Sequence, residues 1–116
     1  MAEYHLIGQQ NSGVNANFYT YRPVFGAIYF RFTDIDISGF QWSTASSIVR
    51  MWNRSQAQVG AGTVSRTWGQ PGNWVYMFSY GNNSQAIDIR MGVDSFYVNP
   101  YNPNQFTTWK GDILYG

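Results

Sequence analysis

The sequence predicts an all-β chain folded as a single antiparallel β-sandwich or jelly roll of about nine short strands, with a small β-barrel as the second choice. Three observations lead there. Apolar residues recur with a period of two in several segments, as strands require. No segment holds a 3.6-residue apolar pattern over three turns, and Gly and Asn recur too often for a long helix. Clusters of Gly, Pro, Asn and Ser punctuate the chain at short, regular intervals. The 116 residues fit one domain, 1–116, without a linker or convincing internal repeat.

The expected strands are 3–8, 14–21, 24–33, 45–52, 59–67, 74–80, 85–91, 94–98 and 106–115. In the third, Ile28, Phe30 and Phe32 alternate with Tyr29, Arg31 and Thr33; the apolar set then moves to Ile35 and Ile37, which predicts a bulge or corner near Thr33-Asp34. Ile48 and Val49 lie in SSIVRMW, which reads as a strand or one helical turn. Trp74, Tyr76, Phe78 and Tyr80 are expected to share one face, with Val75, Met77 and Ser79 on the other. Ile87, Ile89 and Met91 alternate with Asp88 and Arg90, placing those two charges together. Asn11-Ser12-Gly13, Arg22-Pro23, Ser38-Gly39, Gly69-Gln70-Pro71-Gly72, Gly81-Asn82-Asn83 and Asn99-Pro100-Tyr101-Asn102-Pro103 supply the turns. If every strand reverses direction, residues 9–13, 34–44, 68–73 and 92–93 gather at one end. Residues 22–23, 53–58, 81–84 and 99–105 then gather at the other.

Composition narrows the function. Aromatic residues make up 19% of the chain and charged residues 11%, where an average domain carries roughly 25% charged. Lys110 is the only lysine, and polarity comes from Asn, Gln, Ser, Thr and Gly. Flat rings beside neutral amides suit an uncharged, hydroxyl-rich ligand, so a small lectin-like domain recognising neutral glycans is expected. Surplus rings on a small domain also predict a homo-oligomer, which would make binding multivalent. The alternative is a structural or assembly subunit, such as a tail-fibre tip or capsid-like oligomer, without sugar binding.

The best binding candidates are Trp68, Gln70, Asn73 and Trp74, where two indoles flank a Gly/Pro turn, joined on the alternation argument by Trp42 and Asp36. The plainer account makes Trp74 core and Trp68 a plug for the end of the sandwich. A second set, Asn82, Asn83, Tyr101 and Asn102, combines amides with one ring on proline-stiffened loops; alternatively these are solvated connectors. Asp34 and Asp36 share a face at i, i+2 spacing. They could hold Ca²⁺, although the segment lacks the glycine-punctuated ligand pattern of a calcium loop, and no cofactor is otherwise expected.

Other chemistries find little support. With one histidine (His5), one glutamate (Glu3) and no cysteine, no nucleophile–base constellation is available, so no enzyme is expected. His5 reads as a strand residue satisfied by a neighbour. The six arginines are scattered and the formal net charge is +1, which argues against nucleic acid. Arg31, Arg50 and Arg90 alternate with apolar residues and are expected on outer faces; salt bridges with acids such as Asp88 or Asp112 are the plainer account, with cation–π stacking on rings or pairing with a sialic or uronic acid carboxylate as the alternatives. No apolar run approaches the ~20 residues of a membrane span, and residues 1–10 do not resemble a secretory signal. A soluble chain of unassigned compartment is expected.

Overall fold

The computed structural model describes residues 2–11, 16–17, 21–37, 40–94, 96–101 and 106–116. They form ten strands and no helix: β1 (Ala2–Asn11), β2 (Ala16–Asn17), β3 (Arg22–Val24), β4 (Gly26–Ile37), β5 (Thr44–Trp52), β6 (Gln58–Thr67), β7 (Val75–Tyr80), β8 (Ile87–Val93), β9 (Tyr97–Asn99) and β10 (Phe106–Tyr115). All pairings are antiparallel. One sheet runs β1-β10-β4-β7; the other runs β2-β8-β5-β6, with β3 also on β8 and β9 also on β5. Taking β2 with β3 and β8 with β9 leaves eight runs in jelly-roll order, in which successive runs lie in opposite sheets except β5 and β6, which form a hairpin within one sheet.

Sequence pattern explains each layer. In β4, Ile28, Phe30 and Phe32 face inward, and Ile35 and Ile37 resume the inward series after a slip of one. Gly111 pairs with Phe32 and Lys110 with Asp34, so Thr33 is the extra residue of the predicted bulge. SSIVRMW is a strand: Ala45, Ser47, Val49 and Met51 point in along β5. Between the sheets Trp109 packs edge-on against Phe30 and Phe32, with ring centroids 6.2 and 5.7 Å away. Gly8 lies opposite Trp109, and a Cβ there would collide with the indole, so only glycine fits.

Three expectations fail for physical reasons, the first being the Arg22-Pro23 turn, which is instead the start of β3 and pairs with Ile89 and Asp88 of β8. Trp74, Tyr76, Phe78 and Tyr80 do not share a face. Ile28 pairs with Phe78 but Tyr29 pairs with Tyr76, so Met77 is a second bulge; it turns Phe78 into the core and leaves Tyr76 outside. Residues 92–93 are no turn either. The Asp94 amide donates to Ile48 O at 3.0 Å, and β9 continues along β5 in the direction of β8. One reversal is lost, and Asn99 arrives at the end opposite to the one expected.

Candidate functional site

The C-terminal ends of β1, β4, β6 and β9 therefore meet at one end of the sandwich. Ser43 joins three of them. Its carbonyl accepts from Trp68 N at 2.9 Å, while its own N–H and Oγ donate to Asn99 O at 2.7 and 2.8 Å. The Trp68 loop and the Tyr101 loop, expected at opposite ends, are tied to one residue.

Trp42 forms the floor. It is 2% exposed, and Trp68 stands edge-on against it with ring centroids 5.2 Å apart and planes at 81°. Trp68 remains 48% exposed, and Tyr101 is 77% exposed. The loop after Trp68 turns through Gly69, whose φ of 77° lies in the left-handed region that glycine adopts freely. Gln70 N donates to Thr67 O at 3.1 Å, and Gly72 N to Phe32 O at 3.0 Å, which fastens the loop across to the other sheet. Between this loop and the end of β6 lies a cleft of about 200 Å³ lined by Ser65, Arg66, Thr67, Gln70, Pro71, Gly72 and Asn73. Arg66 continues the inward-facing series of Gly62 and Val64, and its guanidinium carbon sits 5.8 Å from the Trp42 ring centre. Trp42 Nε1 and Arg66 Nε are buried donors without an acceptor.

Of the ten sequence-predicted residues, this end gathers Trp42, Trp68, Gln70, Asn73 and Tyr101. Asn102 lies outside the described residues. Asp36 is exposed on β4 near this end, opposite Thr108; Asp34 is exposed opposite Lys110. Trp74 is elsewhere, on the outer face of the first sheet with Arg31 4.3 Å above its ring. Asn82 and Asn83 are at the far end, where with Ala2, Phe25, Gly26, Gly81 and Gly116 they line a hollow of about 510 Å³. Asn82 Oδ1 is engaged there by Ser84 N and Oγ at 3.0 and 2.7 Å.

The outer faces carry paired charges. Arg31 bridges Asp112 at 3.1 Å, Arg50 bridges Asp94 at 3.1 Å and Arg54 bridges Asp88 at 2.8 Å. Asp94 raises the Arg50 pKa above its ordinary value by hydrogen bond and charge. Arg90 stacks on Trp52 and donates to Gln56 Oε1 at 3.0 Å. Among the described residues one group could offer three metal ligands: Glu3, His5 and Asp112, whose ligand atoms lie within 4.8 Å of one another. There His5 Nδ1 meets Asp112 Oδ1 at 2.6 Å while Arg31 Nε donates to Oδ2 at 3.1 Å. Asp112 is thus already neutralised, and the cluster reads as a cross-strand salt-bridge row.

Sequence reasoning passed over Ser43, and it included Arg66 at the start of the 66–74 binding segment without giving it a role of its own. Arg66 carried a usable signal, since it continues the phase of core-facing Val64. Ser43 acts chiefly through backbone groups, which any residue supplies. The chain matches no family model, no curated protein and no solved structure.

Proposed function

We propose that the protein is a small lectin-like module that binds saccharides at the loop end of its jelly roll. One observation carries the reading: a half-exposed indole, Trp68, is propped edge-on against buried Trp42 beside a cleft lined by Gln70 and Asn73. A ring held in place loses little freedom on binding and offers an apolar face for a pyranose, while amides both donate to and accept from hydroxyls. Tyr101, on the loop fastened to Ser43, is the second ring in reach of this end. The reading is one of binding without chemistry. The single histidine is hydrogen-bonded to Asp112 on a sheet face, and no acidic residue lines the cleft. A shallow site of this kind gives millimolar to micromolar affinity, which a homo-oligomer would amplify.

The test is a glycan array probed with labelled protein, with and without EDTA. Binding that disappears in Trp68→Ala supports the reading, and EDTA sensitivity would assign Ca²⁺ to Asp34 and Asp36. Exposed Ile7, Tyr76 and Tyr97, which lie on β1, β7 and β9 away from the loops, favour the second reading, a structural or assembly subunit. A silent array from folded, oligomeric protein would establish that reading instead.

A further inference from the structure

We infer that the ligand of the loop end is an acidic saccharide, and that Arg66 selects its carboxylate. This rests on the glycan-binding reading above and replaces the neutral ligand that composition favours. Composition averages over the chain, whereas the charge of a site is set by the few groups in it.

Arg31, Arg50 and Arg54 each face an aspartate on the outer surface. Arg66 differs from them. Among the described residues no carboxylate lies within ion-pair distance of it, and it sits on the inward side of β6 rather than the outward side. A half-buried guanidinium keeps a stronger field than an exposed one because solvent screens it less. The Trp42 ring lies beneath it and restrains the fork.

Hydrogen-bonding capacity points the same way. Arg66 Nε and Trp42 Nε1 are donors without acceptors, and the guanidinium itself accepts nothing. Both atoms are buried, so a ligand meets the part of the guanidinium that lines the cleft, and that part can only donate. A carboxylate is acceptor-only when ionised and matches a guanidinium fork in plane and spacing. No second cation lines the cleft, which suits one carboxylate per sugar rather than a densely sulfated polymer. With the carboxylate on Arg66, the ring carrying it, a uronic or sialic acid, lies beside the exposed face of Trp68, and Ser65, Thr67, Gln70 and Asn73 meet its hydroxyls.

The test is calorimetric titration of the whole chain with matched probes: sialyllactose against lactose, a galacturonic acid oligomer against its methyl ester, and 6′-sulfated lactose. Wild type, Arg66→Gln, Arg66→Lys and Trp68→Ala are compared after circular dichroism has shown each to be folded. The carboxylate member of a pair is expected to bind roughly tenfold to a hundredfold more tightly than its neutral partner, the range of one charge-assisted pair. That preference should vanish in Arg66→Gln, survive in part in Arg66→Lys and shrink as NaCl is raised. Equal, Trp68-dependent binding of acidic and neutral members would overturn the inference and leave the glycan reading standing. Sulfated lactose bound as tightly as sialyllactose would overturn the carboxylate assignment. No binding of any probe to folded wild type would overturn both.

Discussion

Trp42 and Trp68 touch, yet their truncation should have very different consequences. An indole side chain offers about 250 Å² to water. Trp42 is 2% exposed, so nearly all of that is withdrawn; at ~25 cal/mol/Å² the ceiling on its contribution is about 6 kcal/mol. Trp68 is 48% exposed, which halves the ceiling to about 3 kcal/mol. A compact denatured state already shields part of both, so about 4 and 2 kcal/mol are the working values for Trp42→Ala and Trp68→Ala. With an unfolding entropy of roughly 2.1 cal/mol/K per residue over 116 residues, those become Tm losses of about 16 and 8 °C. Urea unfolding and calorimetry of the two variants and the double variant measure this, and the cycle should return a coupling of ~0.5–1.5 kcal/mol for the ring pair. Binding should show the reverse order in what remains folded: Trp68→Ala loses it outright, whereas Trp42→Ala weakens it by loosening Trp68 and Arg66. If Trp42→Ala were as mild as Trp68→Ala, Trp42 would not be the floor of the site and the argument would fail.

Gly8→Ala should cost roughly 1–3 kcal/mol by overpacking against Trp109, with Trp109→Leu in the same chain recovering part of it; denaturant midpoints of the three variants decide. Deleting Thr33 removes the bulge yet keeps Asp34 and Asp36 outward and Ile35 and Ile37 inward, so the variant should accumulate as soluble protein, whereas deleting Thr33 and Asp34 together would turn Asp36 toward the core and should prevent accumulation. Tyr4 has its pKa raised from 10.0 to about 12, by burial first and by Tyr115 second. Its folded-state value is the higher one, so the stability it contributes is fully present below pH 10 and is lost as pH rises through 12. Urea midpoints measured across that window should fall in wild type more steeply than in Tyr4→Phe. Asp112→Asn leaves Arg31 and His5 without their shared anion and should destabilise by ~2–4 kcal/mol, far more than Asp36→Asn on the exposed stretch of β4.

The pattern of side chains told where the strands lie and, at one place, where they slip. The bulge at Thr33 was legible because only one face of β4 is apolar there, so moving from Phe32 to Ile35 is visible as a change of phase. The bulge at Met77 was not. Both faces of β7 carry large apolar side chains, and a slip between two hydrophobic faces leaves no mark on the pattern. Gly92 looked like the centre of a turn, but it is buried and paired with Arg50 inside a continuous ladder. That single misreading separated the Tyr101 loop from the Trp68 loop. The candidate residues themselves were visible as residue types, since a tryptophan beside Gly, Pro, Gln and Asn stands out in the sequence. Their union depended on backbone hydrogen bonds through Ser43, and a carbonyl has no letter in the sequence.

A jelly roll hosts capsid subunits and sugar-binding domains alike, so the fold leaves the function open and the site has to decide. Here the distribution of charge separates the surfaces. On the outer faces the arginines at 31, 50 and 54 are matched by aspartates at 112, 94 and 88, while Arg90 stacks on Trp52 and donates to Gln56. At the loop end Arg66 lines a cleft without such a partner, beside donors that lack acceptors and a ring half in water. Among the described cations Arg66 shares the lack of an ion pair with Arg22, Arg90 and Lys110, and differs from them in lining this cleft. Subunit packing through Ile7, Tyr76 and Tyr97 would cover the flanks and leave the loop end open. On the proposed reading assembly and glycan binding would occupy different surfaces of one domain, and an oligomer would present several such ends at once.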